Sequence, residues 1–474
     1  MATRRFGRLR RFAGTVPVSA AVLLAAGAAV AAPPASAQAA GPASAAVSAR
    51  VSASVPVSAQ APVRAAAPAW VPVAAAGRAY ADPQLVTFDP AKLRVTLDAT
   101  HEAGMPGLYS SVRQDDDTWR GAAGYADTRT RRPVRPTMEH RVGSVTKTFT
   151  ATAVLQLVEQ GRLQLDAPIA QFLPGVVPGE RGQQITLRML LNHTSGIADY
   201  VPAAFPSLRR LSPESLDKHR FRTVRPERLI KWGLQAPPTN APGEAWSYSN
   251  TNYIILGKLL EKVTGEKAET YIHKHVIRAA GLKHTYFPKG PVITGPHSRM
   301  YESLYGHVDP PRDYSVYDMS WAGTAGALVS TMDDLNTFFR ALLTGKLIGR
   351  GSLTEMQRTV PVKDANGTTL MNYGLGLYSL QLPCGTFWGH DGAVFGAGTQ
   401  VLASVDGRRQ VALGINLMKY QELNGQGVPV PHAIDNAMGA HLVQALCAGQ
   451  GPLLAPTPAA TPKPPLPLQF VTRR

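Results

Sequence analysis

The sequence predicts an α+β domain in which one antiparallel sheet is assembled from both ends of the chain, with helices flanking it and a mainly helical region inserted between. Three observations carry this. Strand-like alternation with turn chemistry occurs at 107–125 and returns only at 386–416. Helical or loop-like patterns fill most of 183–347, and an apolar run with helical periodicity occupies 148–159, directly after the first strand pair.

Taken in order, the first eleven residues carry Arg4, Arg5, Arg8, Arg10 and Arg11 and no acid. An apolar run at 16–31 and the triplet Ala35-Ser36-Ala37 follow. This is the layout of a bacterial export signal over 1–37, and the run is short for a membrane span, so the mature protein is expected outside the cell. Residues 38–84 are mainly alanine, proline, valine and serine with little charge, which suits a solvated linker. A folded domain is expected over 85–449, and 450–474 reads as a proline-rich flexible tail, too polar to cross a membrane.

The net charge is +17, of which the five N-terminal arginines supply +5, leaving +12 for the rest. Such a surface is drawn to anionic material, of which a cell wall is one example. No helix carries a basic stripe interleaved with aromatics, so no nucleic-acid site is expected. Cys384 and Cys447 are the only cysteines. Oxidising surroundings favour a disulfide between them, which would contribute about 4 kcal/mol on the chain-entropy account. Two cysteines do not make a zinc site and no His-Glu-x-x-His cluster occurs, so neither metal nor cofactor is expected.

Order begins near Asp89, with a helix predicted over 90–103. Residues 107–112 and 118–125 then read as paired strands about the turn Gln114-Asp115-Asp116-Asp117. Phe149, Ala153 and Leu157, with Val154 and Val158, repeat at helical spacing, and Gly161 stands where a left-handed cap ends a helix. Further helices are predicted at 186–191, 251–264 and 332–343. Strands return at 386–389, 398–405 and 410–416, the last two joined through Asp406-Gly407, and a final helix covers 432–447.

Ser144 falls at the start of the 148–159 helix, and Lys147, three residues on, shares its face one turn away. A serine hydroxyl needs a neighbouring base before it is a useful nucleophile, and the free N–H groups at a helix start favour the anion formed. Chance alone supplies Ser-x-x-Lys about once or twice in a chain this long, and Ser215-Leu216-Asp217-Lys218 is such a match. Two further motifs give the first its weight. Tyr248-Ser249-Asn250 follows the turn residues Asn240-Ala241-Pro242-Gly243, which would project a phenol and an amide from a loop, the phenol with its pKa lowered by the ammonium. His390-Asp391-Gly392-Ala393 ends a strand, where glycines would let a substrate backbone come close. There the N–H of Ala393 would join that of Ser144 as an oxyanion hole.

With those three motifs in this order, the chain resembles the penicillin-recognising serine hydrolases over about 89–447, in particular secreted D-alanyl-D-alanine carboxypeptidases, class C beta-lactamases and their esterase relatives. Residues 190–196, 248–253, 320–326 and 373–377 add to the likeness. The resemblance implies a beta-lactamase/transpeptidase-like fold. It makes Ser144 the acylated nucleophile, Lys147 its base, Tyr248 the proton carrier to the leaving group, and Asn250 the partner of Lys147 and of the acyl amide. Trp321 would line the pocket and His390 would stand where the family more often has lysine. It also supports the pairing of Cys384 with Cys447.

A monomer is expected, and the resemblance further implies a secreted enzyme acting on peptidoglycan peptides as a D-alanyl-D-alanine carboxypeptidase and open to beta-lactams. Three departures favour an alternative, an esterase or amidase whose substrate lacks a free carboxylate. Asp391, Ala393 and Tyr378 stand where carboxylate-binding members carry Thr or Ser, a second hydroxyl and an arginine. An ionised Asp391 would repel a substrate carboxylate. A silent binding protein of the same fold is the reading from another class, and it would have no need of Ser144, Lys147 and Tyr248 together.

Overall fold

A computed structural model describes residues 88–364, 367–425 and 427–448. The export signal at 1–37, the linker at 38–84 and the tail at 450–474 lie outside the described residues.

Helix α1, Pro90–Glu102, starts where Asp89 accepts the N–H groups of Ala91 and Lys92, and it buries Leu93 and Leu97. Strands β1, Gly107–Gln114, and β2, Asp117–Asp127, form the expected hairpin, and the two-residue strand β3, Arg132–Pro133, follows. Helix α2, Thr146–Glu159, comes next and ends before Gly161, whose φ of +68° is the left-handed cap. The inserted region contributes α3, Asn250–Thr264, and α4, Met332–Leu343, among shorter helices. The chain then returns through β4, Val360–Lys363, β5, Thr369–Tyr373, β6, Tyr378–Leu382, β7, Gly385–Val394, β8, Ala397–Ser404, and β9, Arg409–Ile415, and closes with α5, Ala433–Cys447.

These nine strands form one antiparallel sheet in the order β3-β2-β1-β9-β8-β7-β6-β5-β4. The two ends of the chain meet at the β1/β9 pairing, where Leu108 faces Ile415 and Val112 faces Val411. The sheet was therefore foreseen, but β4, β5 and β6 were not. β4 is the short edge strand and β5 its neighbour, with Pro361 and Asn372 in them, and their side chains are half exposed, so neither alternation nor a continuous apolar run marks them.

Alternation along the central strands sorts the core into two layers. Trp388, Val401, Ala403 and Ala412 face the helical region with Phe149, Phe338 and the rest of its cluster, while Phe387, Leu402 and Val411 pack with Leu93 of α1 and with Leu442 and Leu446 of α5. Phe149 stacks on Phe338 with ring centroids 3.6 Å apart, tying α2 to α4. Cys384, just before β7, is bonded to Cys447 at the end of α5, as expected, and clamps that helix to the sheet. Among the described residues, no helix is long and apolar enough to cross a membrane.

Candidate active site

Helix α2 is buried almost all round, because its polar positions are threonines that bond outward to neighbouring backbone. Thr148 donates to Gly376 O at 2.7 Å and Thr150 to Thr324 O at 2.8 Å. Ser144 does not lie in this helix but in the 3-10 turn Gly143–Val145 that leads into it. The turn is pinned by Thr146, whose hydroxyl donates to Gly143 O at 2.7 Å and accepts the N–H of Leu328 at 3.1 Å. Gly143 holds φ +53°, and a Cβ there would come within 2.7 Å of Ala393 N. Ser144 itself is 6% exposed.

Lys147 is fully buried and its Nζ lies 3.1 Å from Ser144 Oγ, 2.8 Å from Asn250 Oδ1 and 2.7 Å from Ala325 O. Burial pulls its pKa down to about 7, opposed by the carboxylates of Asp199 and Asp391. As a free amine it keeps two N–H bonds, for Asn250 and Ala325, and turns its lone pair to the Ser144 hydroxyl. A lysine ammonium could not accept that proton, so burial is what makes this lysine a base.

Tyr248 precedes α3, with Ser249 at its N-cap and Asn250 as its first residue, so the amide stands on a helix rather than in the expected loop. The segment is held by the loop at 193–199. Ala198 O accepts the hydroxyls of Ser249 at 3.2 Å and Thr251 at 2.7 Å, and His193 Nδ1 accepts Ser249 N–H at 3.2 Å. Asp199 Oδ2 accepts Asn250 Nδ2–H at 2.7 Å, which leaves Asn250 Oδ1 for Lys147. Sequence reasoning gave Asp199 no role, since nothing local distinguishes it from a turn aspartate; its meaning lies in where Asn250 ends up.

The Tyr248 phenol departs from expectation. Burial pushes its pKa well above the ordinary value, and although Ser144 works in the opposite direction, the lowering expected from a nearby ammonium is absent. The ring is 2% exposed and Lys147 Nζ lies 4.8 Å from its centroid, over its face rather than beside its oxygen. Tyr248 is therefore a neutral phenol. Its hydroxyl faces Ser144 without a hydrogen bond of good geometry.

Strand β7 brings its four residues to the Ser144 turn in a way that corrects three expectations. First, the glycine gaps are filled by protein. A Cβ at Gly392 would meet Val142 O at 1.9 Å and Ser144 N at 3.0 Å, and one at Gly389 would meet Val401 O at 1.9 Å. The missing side chains admit the chain's own backbone, seating the Ser144 turn against Gly392-Ala393. Second, His390 has no nitrogen to offer a ligand. Its Nδ1 lies 2.5 Å from Asp391 O and its Nε2 2.9 Å from Tyr373 Oη, and burial next to Lys147 lowers its pKa to about 3. A neutral ring donates from Nδ1 and accepts the Tyr373 hydroxyl at Nε2.

Third, Asp391 takes the other face of the strand. It pairs with Gln400 across β7 and β8, and so lies on the sheet face opposite His390 and Gly392. Gln400 donates to Tyr378 Oη at 2.7 Å on that face, and Asp391 is 1% exposed. Its charge is felt at Lys147 and at Tyr248.

Trp321 is 7% exposed and packs edge-on against Phe205 at 5.4 Å and against Phe395 at 5.3 Å, with its carbonyl bonded by the Tyr200 hydroxyl. Together the three rings make an aromatic wall. His193 and Tyr373, which sequence reasoning noted without a role, lie with Trp246 and Tyr248 in a second cluster, with His193 centroids 4.3 Å from Tyr248 and 5.0 Å from Tyr373. Among the described residues no group of His, Cys, Asp and Glu is arranged to hold a metal.

Comparison with known proteins agrees with this geometry. The family model Beta-lactamase matches residues 91–426. The chain is 29% identical over 279 residues to the putative penicillin-binding protein PbpX of Bacillus subtilis (strain 168), covering 58% of this chain and 63% of that protein, so it spans less than two thirds of that relative's length. It is 32% identical over 216 residues to the esterase EstB of Burkholderia gladioli, covering 43% of this chain and 54% of that protein. A D-stereospecific amidohydrolase from Streptomyces sp. superposes with a TM-score of 0.64 at 36% identity, over 70% of this chain and 95% of that one.

Proposed function

This chain belongs to the beta-lactamase family, a family of serine hydrolases, and we propose that within it the protein is an acyl-enzyme amidohydrolase or esterase whose substrate lacks a free carboxylate beside the scissile bond. The observation that carries the substrate half of this reading is His390. Carboxylate recognition at that place needs a cation or a hydroxyl, and here the ring is neutral with both nitrogens used within the protein. The likeness to a D-stereospecific amidohydrolase and to an esterase supports the same choice.

In this reading Lys147 takes the Ser144 proton while Oγ attacks the carbonyl carbon. The resulting oxyanion is held by the N–H groups of Ser144 and Ala393, which the bare Cα atoms of Gly143 and Gly392 bring together. Collapse breaks the bond to the leaving nitrogen or oxygen, which receives the proton from Lys147 through the Tyr248 hydroxyl. Water then repeats the sequence on the acyl-serine and frees the acid. Asn250 Nδ2 and Oδ1 are committed to Asp199 and Lys147, so Asn250 serves the lysine, and the Trp321 wall borders the substrate. We further propose that the protein works after export, for which the N-terminal sequence layout and the Cys384–Cys447 bond speak.

The D-alanyl-D-alanine carboxypeptidase remains the second reading, favoured by the likeness to a putative penicillin-binding protein. One experiment separates the two. The purified protein and Ser144→Ala are given a D-amino-acid amide, a D-alanyl-D-alanine peptide and a penicillin, with turnover followed for the first two and intact mass for the third. Ser144-dependent cleavage of the amide without a lasting penicillin adduct is expected. Preferential release of terminal D-alanine, together with a stable adduct on Ser144, would replace the first reading with the second.

A further inference from the structure

We propose that Asp199 is a positioning residue for the Ser144–Lys147 pair: it locks the Asn250 amide with its oxygen towards Lys147 and so decides which way the amine's lone pair points. This rests on the acyl-enzyme reading above.

The two ends of a primary amide are nearly the same shape, and only its partners decide which end faces which way. Asp199 supplies that decision. Its Oδ2 accepts both Asn250 N–H at 3.2 Å and Asn250 Nδ2–H at 2.7 Å, and its Oδ1 accepts Val201 N–H at 2.8 Å where the short helix Val201–Ala204 begins. Burial raises the pKa of this carboxyl, and the Val201 N–H, the two Asn250 donors and the Lys147 charge work against that rise; with three donors and no acceptor about it, the geometry suits a carboxylate. An ionised carboxyl can only accept, so the Asn250 NH2 must turn to it and the oxygen must turn to Lys147, at 2.8 Å. Lys147 then has one N–H spent on Asn250, one on Ala325 O at 2.7 Å, and its third direction left for Ser144 at 3.1 Å. With the amide reversed, the NH2 would face the lysine, attract its lone pair and leave Ser144 without a base.

The carboxyl is fixed from behind as well. Ala198 O, one residue before it, is bonded by the hydroxyls of Ser249 and Thr251 on either side of Asn250. A Cβ at Gly233 would come within 2.2 Å of Thr251 Oγ1 and 2.9 Å of Ala198 O, so the helix Pro226–Gln235 closes over the junction. The titratable groups facing Lys147 are Asp199 and His193 from the loop at 193–199, Tyr248 and Tyr253 from α3 and the segment before it, and His390 and Asp391 from β7. The two histidines are held neutral by burial and the tyrosines by their raised pKa values, which leaves the two aspartates as the charges that act on the lysine. Of these, Asp199 has the larger effect.

The test uses Asp199→Asn and Asp199→Glu in the full chain, with kcat and KM for a p-nitrophenyl ester measured across pH. Asp199→Asn removes the charge and the acceptor-only constraint. The expected result is a fall in kcat on the order of tenfold or more with KM little changed. The acidic limb of kcat/KM should also move to lower pH by roughly one unit. Asp199→Glu, which keeps the charge, should hold the limb near its original place while losing part of kcat. A structural role alone would move neither the limb nor the split between kcat and KM.

If Asp199→Asn does not fold by circular dichroism, Asp199→Ser, which can still accept the Val201 N–H, takes its place with the same expectation. Unchanged kcat and an unmoved limb in a folded variant would overturn the proposal. If turnover persists in Ser144→Ala, the acyl-enzyme reading itself fails, and that outcome is distinct from the first.

Discussion

Lys147 Nζ stands 3.1 Å from Ser144 Oγ inside a site where the lysine is fully buried and the serine almost so. Burial is the physical cause of the chemistry, since it brings the amine's pKa down to about 7. In the proposed mechanism the free base is the active form, so kcat/KM for an activated ester is expected to rise with pH and level off, with a midpoint near 7. Lys147→Met should abolish the limb together with most of the rate. A midpoint near the value of an exposed lysine, or a flat profile from pH 5 to 9, would remove Lys147 as the base.

In the proposed mechanism Tyr248 carries protons as a neutral phenol, and its share of the work should then depend on the leaving group. Amide nitrogen must be protonated as it departs, whereas p-nitrophenolate leaves unaided. Tyr248→Phe is therefore expected to slow an anilide or amide on the order of a hundredfold or more while costing an activated ester far less. Equal losses on both substrates would contradict the assignment.

Gly392 is the contact through which β7 carries the Ser144 turn. The Cβ of Gly392→Ala would start 1.9 Å from Val142 O, so strand and turn must separate. Overpacking of this kind costs about 1–3 kcal/mol, and the displaced turn should lose kcat rather than substrate affinity. Thermal melting and steady-state kinetics on the same preparation would show both, and a fully active, equally stable variant would speak against the close approach.

Three fully buried histidines, His140, His390 and His441, have pKa values lowered by burial to about 4, 3 and 3. Each is neutral in the fold and titrates near 6.5 once unfolded, so the unfolded state binds more protons in acid. The stability they lend is complete above about 6.5. It is lost as pH falls towards their folded values, at about 1.4 kcal/mol per unit for each. Urea midpoints should accordingly drop steeply between pH 6.5 and 5, and they should go on rising above pH 7, where Lys147, with its pKa lowered to about 7 in the fold, is neutral while the unfolded lysine is still protonated. A midpoint that stays level down to pH 5 would rule this out.

The bond between Cys384 and Cys447 closes a loop with a sequence separation of 63, and removing it should cost about 4 kcal/mol on the chain-entropy account. It joins α5 to the outer layer of the sheet, away from Ser144. Cys384→Ala with Cys447→Ala is therefore expected to melt at lower temperature yet retain its kcat at 25 °C. Loss of activity without loss of stability would place the bond in the site instead.

Much of this molecule could be read from one dimension because its signals are local. The period of the Phe149 face, the cap at Gly161, the hairpin about Asp115-Asp116 and the alternation in β8 and β9 each depend on neighbours a few residues away. Strands β4 and β5, at and next to the sheet edge, carry no such mark for the same reason, since they are half exposed and hold a proline and an asparagine.

The motif residues Ser144, Lys147, Tyr248 and Asn250 were likewise legible, because a helical turn puts Ser144 and Lys147 together and motif order places the other two. Their ionic states were not. Whether Lys147 is a base, Tyr248 a neutral phenol and His390 a donor or a spent ring depends on how deeply each is buried and on which distant atoms surround it. Whether Asp391 meets a ligand depends on which face of β7 it takes. Asp199 shows the limit most clearly: its carboxylate acts 51 residues along the chain, on an amide that only the packing of α3 against the loop at 193–199 brings to it. Sequence determined which groups are present and roughly where along the chain the elements that carry them begin. Tertiary structure decided their charge, orientation and partners, because desolvation and hydrogen-bond geometry exist only once the chain has closed around them.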